Sequence, residues 1–103
     1  MRESDYRRRL KKKIERLLPG SVVIKNDPDQ LQGLPDLLVL YLDRWAMLEV
    51  KAAYDSPERP NQGYYVDLFN SMSFAAFIFP ENEEVVLDAL QRSLSSGRST
   101  RIP

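Results

Sequence analysis

The sequence predicts one α/β domain in which a mixed β-sheet is flanked by helices. Four short apolar segments alternate with three segments of helical periodicity, in the order α-β-β-β-α-β-α. The helix between the third and fourth strands requires a crossover, which makes the sheet mixed and covers both of its faces. The length of 103 residues suits a single core. We therefore expect one domain over residues 1–94 and a flexible tail over residues 95–103, which lack apolar periodicity.

The first helix is predicted over residues 4–18, with Ser4 as its N-cap and Pro19-Gly20 as its end. Its apolar stripe consists of Tyr6, Leu10, Ile14, Leu17 and Leu18. At ~100° per residue, Glu3 falls in line with this stripe, so that an acid points to the core side of the sheet. The alternative is that residue 3 frays at the chain terminus.

Three strands are predicted next, over residues 21–25, 35–42 and 45–52. The second and third strands are close enough in sequence to form a hairpin, and its tight turn is expected at Asp43-Arg44. Polar segments that contain Pro and Gly predict loops at residues 26–33 and 54–61.

The second half of the chain supplies the crossover. Pro60 suits the first position of a helix that continues over residues 62–70. An apolar fourth strand is predicted over residues 74–79, and Pro80 ends it. Asn82 is predicted to cap a last helix. The buried side of that helix is expected to consist of Val86, Leu87, Leu90 and Leu94.

The net charge of zero conceals an uneven distribution along the chain. Eight of the fifteen basic residues lie in the first sixteen positions, against three acidic residues, so this segment carries +5 and the remainder −5. A basic helix on an acidic body indicates either a surface that faces a polyanion or an ordinary solvated helix face. Charge alone leaves both interpretations open.

The chain contains neither cysteine nor histidine. Without cysteine there is no disulfide framework and no thiolate metal site, which suits a reducing cytosol. Without histidine the commonest general base and transition-metal ligand are missing. A bound metal should therefore be a hard cation held by carboxylates, Mg²⁺ or Mn²⁺. No apolar run is long enough to span a bilayer, so we expect a cytoplasmic protein with no membrane partner and no small-molecule cofactor.

The candidate site lies where the predicted hairpin ends. Asp36 opens one strand and Glu49 lies near the end of the other, so the two carboxylates can be neighbours. Close carboxylates in a partly buried site repel each other, and a divalent cation between them removes that cost. Lys51 projects to the same side as Glu49 and can stabilise charge on a phosphate. The alternative is a turn acid beside a strand-end ion pair worth ~0–1 kcal/mol.

These residues form a pattern that resembles a known family. Gly33-x-Pro35-Asp36, followed after twelve residues by Glu49-x-Lys51, is similar to the motif of the PD-(D/E)XK nuclease superfamily. Its small VRR-type nucleases and its phage and archaeal Holliday-junction resolvases are the most similar groups. The resemblance covers about residues 3–80. It implies a restriction-endonuclease-like core and a Mg²⁺-dependent endodeoxyribonuclease that acts on Holliday junctions or other branched DNA.

The resemblance also implies roles for individual residues. Asp36 and Glu49 correspond to the metal ligands, with the Val50 carbonyl as a third, and Lys51 corresponds to the catalytic lysine. Many members carry a glutamine on the helix after the lysine strand, which implies a site role for Gln62. Its alternative is an ordinary polar residue at a helix N-terminus.

Members also often place an acid on the first helix beside the metal. Glu3, in line with the apolar stripe, is expected to take this position rather than Glu15. Contacts with DNA would be mainly to phosphates, as expected of a structure-selective enzyme. The expected DNA-binding residues are Arg7, Arg8, Lys11, Lys12, Lys25 and Tyr64.

A small body covers little DNA, so the resemblance favours a symmetric homodimer that acts in DNA recombination in a bacterium or a phage-infected cell. The apolar fourth strand and the pair Tyr64 and Tyr65 are candidate contacts, although core burial explains them equally well. Two alternatives remain open. One is a nuclease that acts on flaps, nicked duplex or single-strand ends, and the other is a catalytically silent DNA-binding or assembly module.

Overall fold

The computed structural model describes residues 2–95 and has the predicted order of elements. The elements are α1 (Glu3–Leu17), β1 (Val22–Lys25), β2 (Leu37–Tyr41), β3 (Arg44–Val50), α2 (Gln62–Met72), β4 (Phe74–Ile78), a 3₁₀ turn (Pro80–Asn82) and α3 (Glu83–Ser95). The predicted tail, except for its first residue, lies outside the described part of the chain. Within residues 2–95, no helix has the length and apolarity needed to cross a membrane.

The four strands form one mixed sheet in the order β1-β2-β3-β4. β1, β2 and β3 pair antiparallel, and β4 pairs parallel to β3 after the crossover through α2. In the β2–β3 hairpin Leu37 lies opposite Leu48, and Asp36 and Glu49 are the next residues along the chain beyond this pair. The α/β class and the mixed sheet flanked by helices are therefore confirmed.

One face of the sheet carries the main core. Alternate strand residues such as Val39 and Leu48 pack there against α1 and α3 and are buried. Three others on the same face are partly buried, namely Tyr41, Phe74 and Ala76. The apolar stripe of α1 is also buried as predicted, apart from Leu17, which is half-buried. Because side chains alternate, Glu49 projects to the other face of the sheet, where α2 lies.

α2 covers only half of its face of the sheet. It packs on β3 and β4, where the rings of Trp45 and Phe69 meet edge to face at 6.3 Å. Over β1 and β2 the same face remains open, so Val22, Ile24 and Leu40 are 50%, 43% and 37% exposed. An uncovered run of apolar side chains of this kind is a candidate interaction surface.

The predicted hairpin turn is wrong by one residue. The turn consists of Leu42 and Asp43, and Arg44 already pairs with Tyr41 as part of β3. The Arg44 guanidinium donates a hydrogen bond to the Ser93 carbonyl at 2.8 Å, which ties the start of β3 to α3. Leu42 takes a left-handed conformation, with φ of 57°. A contact with a distant helix thus places a turn that local preference would place elsewhere.

Two predicted helix starts are also wrong. α1 begins at Glu3 with Arg2 at its N-cap, so the Ser4 hydroxyl does not cap it. The acids Glu3 and Asp5 lie in the first turn, where the helix dipole favours negative charge. α2 begins at Gln62, and its N-cap residue Asn61 is left-handed with φ of 69°, so the preceding proline is not helical.

Candidate active site

Asp36 and Glu49 lie close together at one end of the β2–β3 hairpin, as expected of neighbouring carboxylates. Asp36 immediately precedes β2, and its Oδ2 accepts a hydrogen bond of 3.0 Å from the Val50 backbone N–H in β3. Its own backbone carbonyl accepts a bond from the Asn26 N–H at 2.7 Å. The Asp36 carboxylate is therefore anchored between two strands, beside the position from which Glu49 projects.

Glu49 is buried, with 2% of its surface exposed. Its Oε2 accepts a hydrogen bond of 2.9 Å from Gln62 Nε2, at the start of α2. Its other oxygen, Oε1, is buried without a hydrogen-bond partner. A buried polar atom without a partner loses its hydration and gains nothing in return. The Glu49 carboxyl also interacts with Asp36, so a proton or a cation shared by the two acids would compensate this oxygen.

Gln62 connects Glu49 to Lys51. The Lys51 ammonium donates to Gln62 Oε1 at 2.6 Å and to the Pro57 carbonyl at 3.0 Å, and it lies 3.9 Å from Glu49 Oε2. The same Gln62 oxygen accepts the Arg59 backbone N–H at 2.8 Å. Both functions of the amide are therefore used, and Gln62 fixes the acid and the base relative to each other.

The electrostatics of Glu49 are strongly perturbed. Burial, followed by the nearby charge of Asp36, raises the pKa of Glu49 from 4.5 to about 8, and Lys51 only partly opposes this rise. The more distant charge of Glu3 adds to it. At neutral pH the carboxyl of Glu49 is therefore mostly protonated unless another positive charge compensates it.

A cleft of about 250 Å³ opens beside these residues, and its lining includes Pro28, Gly33, Asp36, Arg59 and Gln62. Its two walls are the loop that precedes β2 and the loop that precedes α2. They touch at Gly33, where an added Cβ would lie 2.7 Å from the Asn61 backbone and where φ is +94°. Only glycine allows this approach without strain. Arg59 was not predicted for the site, because nothing in its local sequence indicates that its loop folds towards Asp36.

The site suits a hard divalent cation. Two carboxylates meet there, one oxygen lacks a partner, and Mg²⁺ and Mn²⁺ both prefer oxygen ligands. Among residues 2–95, no three Asp, Glu, His or Cys side chains are grouped closely enough to form a metal cluster. A cation here would therefore rely on two carboxylates, completed by backbone oxygen, water or a phosphate oxygen.

Glu3 lies at the edge of this site. It opens α1, its side chain is 38% exposed, and it forms an ion pair of 3.8 Å with Arg7. Its charge reaches Glu49, but Glu3 does not join Asp36 and Glu49 in a group of three. Glu15 lies twelve residues further along α1, about 18 Å away along the helix axis. Of the two acids considered, Glu3 is thus the one near the site.

The basic residues of α1 lie in two grooves. The first basic groove, of about 240 Å³, faces β1 and is lined by Ser4, Arg7, Arg8, Lys11, Lys25 and Leu37. It adjoins Asp36 through Leu37, its neighbour in sequence. The second basic groove, of about 300 Å³, faces α3, and its lining includes Tyr6, Arg9, Lys12, Lys13, Arg16 and Glu83.

Five of the six expected DNA-binding residues thus lie on or beside α1, but Lys12 is separated from the other four. Tyr64 is elsewhere: it is 63% exposed on α2, and its ring meets Tyr65 edge to face at 4.9 Å. Within the predicted site, Asp36, Glu49, Lys51 and Gln62 form one constellation, with Val50 in its backbone. No protein-family model, no curated protein and no solved structure matches this chain, so its function has to be argued from this geometry.

Proposed function

We propose that this chain is a divalent-metal-dependent endonuclease that hydrolyses phosphodiester bonds of DNA, with a preference for Holliday junctions or other branched DNA. One observation carries the proposal. A buried glutamate with an unpartnered oxygen is linked through Gln62 to a buried lysine and lies beside Asp36 at an open cleft. Such a strongly perturbed carboxyl in a cleft is typical of a functional site.

In this proposal Asp36 and Glu49 hold Mg²⁺ or Mn²⁺, with the backbone carbonyl of Val50 as a third ligand. The cation would offset the burial of Glu49 and the nearby charge of Asp36, which together raise the pKa of Glu49. When bound, it supplies Lewis-acid activation of water and stabilises the negative charge on phosphate oxygens. The protein's contribution is to hold both carboxylates in fixed positions, through the Val50 N–H and the Gln62 amide.

Lys51 and Gln62 have complementary roles. The Lys51 ammonium is 6% exposed and is held by two acceptors, so it provides a fixed positive charge near the reacting phosphate. Gln62 is a positioning residue, because it orients Glu49 and Lys51 through one amide. Arg59 is exposed in the lining of the cleft. It adds a positive charge for a phosphate there to the charges of the metal ion and Lys51.

The positive charge of the first basic groove supports a nucleic acid as the substrate of the site. Arg7, Arg8, Lys11 and Lys25 line a groove that adjoins Asp36, as a polyanion substrate would require. Contacts with phosphates position a nucleic acid but do not read its sequence. We therefore propose selection by the shape of the DNA rather than by its sequence.

The test is the cleavage of an immobile four-way junction beside a linear duplex of matched length and sequence, with Mg²⁺ and with EDTA. The wild type should cut in Mg²⁺ only, and it should prefer the junction. Glu49→Ala should abolish cutting, whereas Glu84→Gln, at an exposed carboxylate outside the cleft and both basic grooves, should leave it unchanged. Failure of the wild type to cut either substrate, or full activity in Glu49→Ala, would contradict the nuclease proposal. Equal cutting of both substrates would contradict only the junction preference, and parallel assays on flaps and nicked duplex identify the alternative substrates.

A second candidate function is a catalytically silent DNA-binding module. The observation that favours it is that two of the three N–H donors of Lys51 are used in internal hydrogen bonds. Calorimetric titration with Mn²⁺ separates the two candidates. Carboxylates that serve as ligands should bind Mn²⁺ and lose it in Asp36→Asn, whereas a silent module should bind none in either form.

The proposal includes a symmetric homodimer. The open half of the sheet, with Val22, Ile24 and Leu40, is apolar and identical in every copy, so a two-fold contact removes both open faces from water at once. Light scattering after gel filtration should give the mass of a dimer for the wild type and of a monomer for Leu40→Glu. A wild-type monomer at micromolar concentration, or a variant that remains dimeric, would contradict this arrangement.

A further inference from the structure

The two basic grooves open on opposite flanks of α1, the first towards β1 and the second towards α3. At ~100° per residue, Glu15 projects among the residues of the first groove and Asp5 among those of the second, so a carboxylate lies within the positive charge of each set. The Asp5 carboxylate pairs with Arg8 at 3.1 Å and with Arg2 at 3.5 Å, which neutralises part of that charge. The two grooves have separate linings and face different elements, so each can be occupied by a different segment.

The second basic groove has an ordered floor. The Tyr6 hydroxyl donates to Glu83 Oε1 at 2.8 Å, and the Lys13 ammonium contacts Glu83 Oε2 at 2.5 Å. Burial alone would raise the pKa of Glu83, but the hydrogen bonds from Lys13 and Tyr6 outweigh it and hold that pKa below its ordinary value. Glu83 therefore stays ionised and holds Lys13 against α3. Even with this internal anion, the groove carries four basic residues against one acid.

The dimensions of the second groove suit the backbone of a nucleic acid. The seven-residue interval from Arg9 to Arg16 rises about 10 Å along α1. One strand of duplex DNA advances about 3.4 Å along the duplex axis per phosphate and also winds around that axis, so this length spans about two neighbouring phosphates of the strand. Lys12 and Arg16 are exposed along the groove, so their charges are accessible to such a strand.

We propose that the second basic groove binds the phosphate backbone of a second nucleic-acid segment, while the first basic groove and the cleft hold the segment that is cut. This inference rests on the proposed nuclease function. It adds a physical reason why such an enzyme would prefer branched DNA to a straight duplex. A straight duplex placed along the first groove leaves the second groove empty, because the two open on opposite flanks of α1. A branched substrate has a further arm that can occupy it.

The test compares two matched double variants, Lys12→Gln/Arg16→Gln in the second groove and Arg8→Gln/Lys11→Gln in the first. The affinity for a four-way junction and for a linear duplex is measured in EDTA over a salt series, so that no cutting occurs. Loss of two phosphate contacts lowers the slope of log K against log salt by about 2, which is up to roughly 60-fold in affinity at 0.1 M salt. The second-groove variant should show this loss for the junction and less than a twofold change for the duplex. The first-groove variant should weaken both.

A second-groove variant that weakens both substrates equally would mean that one duplex straddles α1, and it would overturn the proposal. Unchanged binding of both substrates would overturn it as well. Inorganic tripolyphosphate is the probe for a small ligand: tight binding that Lys12→Gln/Arg16→Gln abolishes, without an effect on junction affinity, would assign the groove to free phosphates instead. Because binding is read in EDTA and cutting in Mg²⁺, a protein with split junction binding but no cleavage would contradict only the nuclease function.

Discussion

The substitution Glu49→Gln tests directly whether the carboxyl at the centre of the site is desolvated. Burial, together with the charge of Asp36, raises the pKa of Glu49 from 4.5 to about 8, so the folded protein binds this proton more tightly than the unfolded chain does. The stabilisation is therefore fully present below pH 4.5 and is lost as the pH rises through 8. Glutamine keeps the shape of the side chain and its hydrogen-bond acceptor but cannot ionise.

The expected size of the effect follows from the same pKa. A rise from 4.5 to about 8 corresponds to roughly 5 kcal/mol between the protonated and the ionised limits, and to roughly 4 kcal/mol between pH 5 and pH 9. A small domain has a free energy of unfolding of only about 5–15 kcal/mol, so this effect is easily measured. Without metal, the free energy of unfolding of the wild type should therefore fall by roughly 4 kcal/mol more than that of Glu49→Gln between pH 5 and pH 9.

The assay is urea unfolding in EDTA at several pH values between 5 and 9, for the wild type, Glu49→Gln and the exposed control Glu15→Gln. Titrating groups far from Glu49 cancel in the difference between the proteins, whereas Asp36 titrates together with Glu49, so the difference reports the carboxylate pair. The control should follow the wild type. If the difference between the wild type and Glu49→Gln changes by less than about 1 kcal/mol from pH 5 to pH 9, Glu49 is hydrated and the argument for a cation at this position fails.

Replacement of Lys51 by Ala should lower kcat by about 10²–10³-fold with little effect on DNA affinity, because its ammonium is buried and faces the site; single-turnover cleavage and binding in EDTA separate the two. Gly33→Ala should destabilise the protein by about 1–3 kcal/mol more than Gly20→Ala, since both glycines have positive φ but only Gly33 has backbone within 2.7 Å of the new Cβ; urea unfolding measures both. Mn²⁺ at pH 8 should raise the Tm of the wild type but not of Asp36→Asn, because only paired carboxylates bind it in the folded state.

The elements of the fold could be predicted because each has a clear periodicity. The stripe of Tyr6, Leu10 and Ile14 repeats every four residues, and all three side chains are buried. The crossover followed from the helix between β3 and β4, which leaves a parallel pair as the simple solution. The ends of the elements depend on tertiary contacts instead. The bond from Arg44 to the Ser93 carbonyl, which fixes the hairpin turn, joins residues 49 positions apart and has no local signal.

Some features of the candidate site could likewise be predicted from the sequence, and others could not. The sequence brought Asp36 and Glu49 to the same end of the hairpin, but the predicted turn at Asp43-Arg44 would place Asp36 opposite Lys51. The observed turn, one residue earlier, shifts the register by two residues and brings Asp36 beside Glu49. The separation of Lys12 from Lys11 was also within reach of the sequence, since neighbouring helical residues point ~100° apart. The position of Arg59 in the site could not be predicted from the sequence. Its place in the cleft depends on the approach of two loops at Gly33, which periodicity does not describe.

The burial of Glu49 is best explained as a cost that the site's function requires. A polar residue at an exposed sheet edge could bind a cation, but water would weaken every interaction with a phosphate there. In the interior, Gln62 and Lys51 hold the carboxyl in one position and leave one oxygen without a partner. The protein alone is then less stable at high pH, and a cation should recover that stability by binding only to the folded state. A residue kept for stability alone would be better replaced by an apolar one, because a buried charge with imperfect pairing is seldom stabilising.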